Sequence, residues 1–287
     1  VQKYTKNMGI HAIDTGFFST EGGAMFGLLP KRAWSLKYPA IQGDRCSLAM
    51  RALYVDLGPR KVLFDAGVGP SRVHGMEYYR FHSLLNPTES LLRLGIQPES
   101  ITDVVLSHLH FDHCGGVVSL QNDGRYAPAF PNAVHWAGLP QRARALHPGR
   151  WEQDAYDPLV VTCLEEAGLL RWVGEDGPLF PGVRVRLCHG HTGGQLVSWI
   201  TAEGTTWVFA GDVVPMRPHL SLACVSAVDA CAEVAVAEKE ALLREVAEAG
   251  HILFFYHDAQ VAAVRLALSG DRVTATQVFE RLEGDGL

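Results

Sequence analysis

Residues 107–116 read Ser107-His108-Leu109-His110-Phe111-Asp112-His113-Cys114-Gly115-Gly116, directly after the apolar run TDVVL at 102–106. A short apolar run of this kind is a buried strand, so the polar cluster leaves a rigid element into a turn. Three imidazoles and one carboxylate fall within the six residues 108–113. In extended chain, alternate residues share a face, so His108 and His110 can point at one ion. A turn after Phe111 then directs Asp112 and His113 towards a second. Histidine nitrogen and carboxylate oxygen suit Zn²⁺ and related cations. Burying four such side chains together without partners would be costly, which makes a purely structural role the weaker explanation. Gly115 and Gly116 permit close backbone approach.

Working outward, the same arrangement recurs at three more strand ends. Cys188-His189-Gly190-His191-Thr192-Gly193-Gly194 follows the alternating run VRVRLC at 183–188. Phe209-Ala210-Gly211-Asp212 ends the run at 205–210, and Tyr256-His257-Asp258 ends HILFFY at 251–256. One Gly-Asp or His-Asp pair is common; recurrence at four strand ends is not. Elsewhere, 46–66 reads as a hairpin around Leu57-Gly58-Pro59-Arg60, and 195–210 as a strand pair around Ala202-Glu203-Gly204. Residues 87–95 read as a short helix with Thr88 as N-cap and Gly95 as its stop. Residues 229–249 have helical spacing and end at Gly250, and 265–278 form a hairpin through Ser269-Gly270-Asp271. This order predicts an α/β chain with two sheets and helices outside them. The Pro-, Gly- and aromatic-rich stretch 110–160 reads as a lid or substrate wall, or equally as plain connecting structure.

Composition narrows the function. Lys+Arg 25 against Asp+Glu 31 leaves −6, which argues against a broad phosphate-binding surface and a nucleic-acid partner. The cysteines at 46, 114, 163, 188, 224 and 231 form no C-x-x-C pair, which excludes a zinc ribbon. No apolar run approaches the ~20 residues of a membrane span. The opening VQKYTKNMGIHAID shows no apolar signal core, so a cytoplasmic protein is expected. There is no G-x-S-x-G elbow, P-loop or G-x-G-x-x-G.

Taken together, H-x-H-x-D-H, G-H-T-x-G, G-D and a late histidine resemble the metallo-β-lactamase superfamily, over roughly residues 45–265. The resemblance implies a four-layer αβ/βα sandwich, here as one domain over 1–287, with metals at one edge of the two sheets. It implies that His108, His110 and His191 hold a first ion, that Asp112, His113 and His257 hold a second, and that Asp212 bridges them. Asp65, in Leu63-Phe64-Asp65-Ala66-Gly67, matches the family's early D-x-G and a supporting role near the metal loop. The G-H-T-x-G pattern aligns on His191, not His189. The segment Gly22–Trp34 resembles the leading segment of the branch with quorum-quenching lactonases and methyl-parathion-hydrolase-like phosphotriesterases. It reads as an apolar wall or a dimer arm, which leaves a homodimer open, or as packing for the first strand.

Two ions about 3.5–4 Å apart share a hydroxide and lower its pKa towards ~7. Asp112 or Asp212 then passes a proton to the leaving group. The expected protein is a dinuclear metal-dependent hydrolase of a small ester or lactone. Zinc is the first expectation, and manganese, iron or cobalt fit the same donors. Phosphotriester or phosphodiester cleavage on the same site is one alternative; a mononuclear iron dioxygenase of the persulfide type is another. Arg217, His219 and Tyr256 lie near ligands in sequence and are candidates to orient a substrate oxygen. His219, after the Asp212 turn, is the preferred catalytic candidate.

Overall fold

In a computed structural model of the chain, residues 9–69, 73–270 and 272–282 are described. The opening residues 1–8, on which the export reading falls, lie outside them, as does Asp271 of the 265–278 turn. The first strand, β1 (Ile10–Glu21), runs antiparallel to β2 (Arg45–Asp56) from Ile10 opposite Val55 to Glu21 opposite Arg45. Two short helices, α1 (Gly22–Phe26) and α2 (Lys31–Trp34), fill the connection. The hairpin expected at 46–66 is β2 with β3 (Lys61–Phe64). Next come α3 (Pro87–Arg93) and β4 (Asp103–Val105), which lies parallel to β3. The helix is where 87–95 placed it, but its N-cap is Asn86 and not Thr88. Pro87 takes the first helical position, where its missing N–H costs nothing, and moves the cap upstream.

After β4 come a one-turn helix α4 (Phe111–Cys114) and the small hairpin β5 (Val118–Leu120) and β6 (Tyr126–Pro128). The order continues β7 (Val134–Gly138), α5 (Leu139–Leu146), α6 (Pro158–Glu166) and β8 (Leu170–Val173). The first sheet has the order β1-β2-β3-β4-β7-β8. The second contains β9 (Gly177–Phe180), β10 (Val183–Cys188), β11 (Gln195–Ala202), β12 (Thr205–Phe209), β13 (Ile252–Phe254), β14 (Ala263–Ser269) and β15 (Arg272–Phe279). Its order is the reverse of chain order, β15 to β9, with α7 (Ala232–Glu248) crossing from β12 to its parallel neighbour β13. The helix starts three residues later than the 229–249 reading, which leaves Asp229 in the preceding loop.

Strand alternation separates the layers. Val62 and Phe64, Val105, Leu196 and Ile200, Trp207 and Phe209, and Ile252 and Phe254 share one buried cluster between the sheets. The residues between them in sequence point the other way. Leu63 and Val104 pack with Leu91, Val160, Val161 and Leu164 of α3 and α6. Val197, Trp199, Val208 and Leu253 pack with Leu242, Leu243 and Val246 of α7. Period-two strands buried on both faces therefore give helix, sheet, sheet and helix in succession.

One buried histidine lies within this frame. His135 on β7 is fully buried; its Nδ1–H donates to the Ala133 carbonyl (3.1 Å), and its Nε2 has no partner. Burial pushes its pKa down to about 4. An unfolded histidine takes up its proton near ~6.5, so the stabilisation is complete above that pH and is lost as pH falls towards the folded value. Equilibrium urea unfolding of wild type and His135→Leu at pH 7 and 4.5 should show wild type losing about 2.5 kcal/mol more than the variant. An equal loss in both would mean that His135 charges in place.

Candidate metal centre

The strand ends place the histidines. His108 leaves β4 in extended chain, and His110 caps α4 with β-region backbone (φ −67°, ψ 150°). The chain thus turns at His110, one residue earlier than expected, and α4 carries Asp112 and His113 round to the same edge. A Cβ on Gly115 would run into the Val68 carbonyl oxygen, and one on Gly116 into that of Ala66, so only glycine allows these two loops to meet. His191 follows β10, Asp212 follows β12, and His257 follows β13.

The structure brings all seven side chains together. Donor atoms of His108, His110 and His191 lie within 4.8 Å of one another, as do those of Asp112, His113 and His257. His110 Nδ1 is 2.9 Å from His108 Nε2 and 3.2 Å from His191 Nε2. His113 Nε2 is 3.2 Å from His257 Nε2, and Asp112 Oδ2 is 3.5 Å from the latter. Asp212 stands between the groups: Oδ1 is 3.4 Å from His113 Nε2 and 3.3 Å from His257 Nε2, and Oδ2 is 3.5 Å from His191 Nε2.

Four of the five rings are tied on their far side. His113 Nδ1 meets Asp65 Oδ2 (2.7 Å), His191 Nδ1 meets Asp229 Oδ1 (2.9 Å), and His257 Nδ1 meets the Ala49 carbonyl (2.8 Å). Those oxygens only accept, so Nδ1 carries a ring proton and Nε2 is the nitrogen turned inward, the one offered to a cation. His108 Nδ1 lies 3.0 Å from Ser107 Oγ, whose own proton goes to Asp65 Oδ2 (2.7 Å). Nitrogens and carboxylate oxygens converging this closely suit a cation among them. Nitrogens at 2.0–2.1 Å from a tetrahedral ion would be ~3.3 Å apart, close to the spacings found. Asp212 Oδ1 is buried with no hydrogen-bond donor. The donor set therefore fits divalent metal.

Electrostatics agrees. Burial and the neighbouring imidazoles hold His108 and His110 well below the usual histidine range. Burial also acts to lower His113 and His191, but Asp212 with its companion carboxylates outweighs it and raises both. Burial acts to raise Asp212, yet His257, His113 and His191 hold it well below the usual carboxylate range. The acids draw positive charge to this point.

A cleft of about 280 Å³ opens above the centre, bordered by Asp112, His110, His191, Asp212 and His257. Phe18, Leu48, Tyr79 and Phe111 form apolar walls. Trp151, Glu152, Asp154 and Ala155 from the 110–160 stretch complete one side, and Ala24 and Met25 of α1 another. Among the described residues lining it there is no lysine or arginine.

Three sequence candidates are elsewhere. His219 is buried against Phe26, with Nε2 bonded to the Met25 carbonyl (2.8 Å); it braces α1 instead of facing the cleft. Tyr256 stacks on His113 and its hydroxyl donates to the Asp112 carbonyl. Arg217 reaches Gln260, away from the cleft. His189 is exposed, and its N–H goes to Glu238. Asp229 was missed because it read as the first residue of a helix, where an acid is an ordinary cap.

A family model described as the metallo-beta-lactamase superfamily matches residues 52–269. No curated protein matches the chain. Among solved structures, a probable metal-dependent hydrolase from Staphylococcus aureus is similar at 22% identity, over 98% of this chain and 100% of that one, with a TM-score of 0.83. AidC, a dizinc quorum-quenching lactonase in complex with a product, is similar at 20% identity over 94% and 95%, TM-score 0.74. The hydrolase AbOPH is similar at 18% identity over 96% and 98%, TM-score 0.75. At these identities the likeness establishes the fold.

Proposed function

The chain belongs to the metallo-β-lactamase superfamily, and from that premise we propose that it is a metal-dependent hydrolase that holds two divalent cations and cleaves a small, uncharged ester or lactone. His108, His110 and His191 would hold one cation and Asp112, His113 and His257 the other, with Asp212 shared. Divalent cations so placed supply a water nucleophile at neutral pH and polarise a carbonyl oxygen. The chain supplies the rest. The apolar walls take up the body of the substrate and exclude water. Asp112 and Asp212, both bordering the cleft, are the carboxylates placed to carry a proton to the leaving oxygen.

The observation that carries this reading is the convergence of imidazole nitrogens and carboxylate oxygens beneath an apolar cleft that no lysine or arginine borders among the described residues. An anionic phosphodiester or a carboxylate-bearing substrate finds no cationic side chain there, whereas an uncharged ester needs none. A phosphotriester is also uncharged and is the second reading. One iron per chain with oxygen uptake, in place of two metal equivalents, would instead mark a mononuclear iron dioxygenase. The fold shared with a dizinc lactonase supports the lactone assignment.

Purified protein should contain about two metal equivalents, and chelation should abolish hydrolysis until metal is restored. On a panel of lactones, aryl esters, phosphotriesters and phosphodiesters, kcat/KM should be highest for uncharged carbonyl substrates. Fully metal-loaded protein that hydrolyses no lactone or ester would overturn the proposal.

A further inference from the structure

Two consecutive, oppositely charged residues of α7 grip the two loops that meet at His191. Glu238 accepts the backbone N–H groups of His189 (2.7 Å, Oε1) and Gly190 (2.9 Å, Oε2), in the loop that carries His191. Lys239 is buried, 3% exposed, and its Nζ donates to the carbonyls of Ser221 (3.3 Å) and Cys224, in the loop that carries Asp229. No carboxylate of a described residue ion-pairs with it. Position 239 belongs to the buried face of α7 with Leu242, Leu243 and Val246, where an apolar side chain would avoid burying an ammonium. The charge thus needs a reason, and the two carbonyls give one. The gripped loops then join: Ala230 N–H donates to the His191 carbonyl (3.0 Å), Cys231 N–H to that of Gly190 (2.9 Å), and Asp229 holds His191 Nδ1. The helix sits directly on this junction, since a Cβ on Gly190 would collide with Ala235.

We propose that Glu238 and Lys239 are positioning residues for the first metal site: together they set the distance between the loops across which Asp229 orients His191. The proposal rests on His191 being a ligand. It assigns the site a support that comes from a helix on the outer face of the sheet and touches no metal donor directly.

The test is a competitive chelator titration of zinc on the full-length holoenzyme. Wild type, Lys239→Met, Glu238→Ala, Glu238→Gln, Asp229→Asn and His191→Ala would be compared, with thermal midpoints alongside. Lys239→Met and Glu238→Ala should weaken one of two zinc equivalents about 10–100-fold, the range typical of lost ligand-orienting partners. It should be the equivalent that His191→Ala loses, identified in cobalt-substituted protein by its absorption bands, with the other unchanged. Lys239→Met should add little to Asp229→Asn, because both act through one histidine. If Lys239→Met does not fold, Glu238→Gln, which keeps one acceptor oxygen, should give a smaller loss of the same equivalent. Unchanged affinities in folded variants, or equal weakening of both equivalents, would overturn the clamp alone. Wild type that binds no zinc would overturn the metal assignment and the clamp with it.

Discussion

Asp212→Ala should lower turnover by about 10³-fold, the equivalent of ~4 kcal/mol in the barrier, and leave folded protein with less metal. Among the described residues, Asp212 is the one carboxylate whose oxygens face both groups of histidines, with Oδ1 towards His113 and His257 and Oδ2 towards His191. Its removal takes a negative charge from the midpoint of a buried cluster that five histidines crowd. Two cations held this close would repel, and a shared acid would offset that repulsion. Asp212→Asn keeps shape without charge and should be nearly as inactive, which separates charge from packing. Elemental analysis and kcat on the same samples decide the matter. Alanine variants with full metal and normal turnover would contradict the shared role.

The second large effect is expected at Asp65. This carboxylate is fully buried; Oδ1 accepts the Ser107 N–H (2.6 Å), and Oδ2 accepts the Ser107 hydroxyl (2.7 Å) and meets His113 Nδ1 (2.7 Å). Asp65→Ala would strand a backbone N–H, a hydroxyl and an imidazole nitrogen with no water to replace the acid. Breaking a buried charged network from one side costs about 3–5 kcal/mol. Asp65 also sits at φ 57°, a left-handed conformation that aspartate and asparagine tolerate better than alanine, adding ~1 kcal/mol. Asp65→Asn keeps the backbone conformation and an acceptor for Ser107 N–H, so it should lose about half as much stability in urea. Its activity should still fall steeply, because an amide does not fix the His113 tautomer as a carboxylate does. If both variants lost stability and activity in proportion, Asp65 would be a packing residue only.

Much of this was legible before any coordinates. His108, His110, Asp112, His113, His191, Asp212 and His257 each follow a short apolar run, and strand ends at one sheet edge are brought together by topology. The two-faced burial of β3, β4, β12 and β13 likewise shows in their unbroken apolar runs. What was hidden is long-range or set by a single neighbour. Asp229 reaches His191 across 38 positions, and no local spacing announces that. Thr88 lost the cap because Pro87 supplies the first helical residue. His219 was drawn towards the chemistry by its place after Asp212, yet the chain turns it to the Met25 carbonyl. Strand β1 escaped notice because its partner β2 lies beyond two short helices, so no turn signal joins them.

The contact of Gly115 and Gly116 with the Val68 and Ala66 carbonyls divides the molecule into parts with different freedom to vary. Where main chain rests on main chain there is no room for a side chain, so positions 115 and 116 admit only glycine. Ala24, Met25, Trp151 and Val228 line the cleft outside that contact. Directed evolution of selectivity belongs at such positions, where a new side chain reshapes the cleft and leaves the glycine contact untouched.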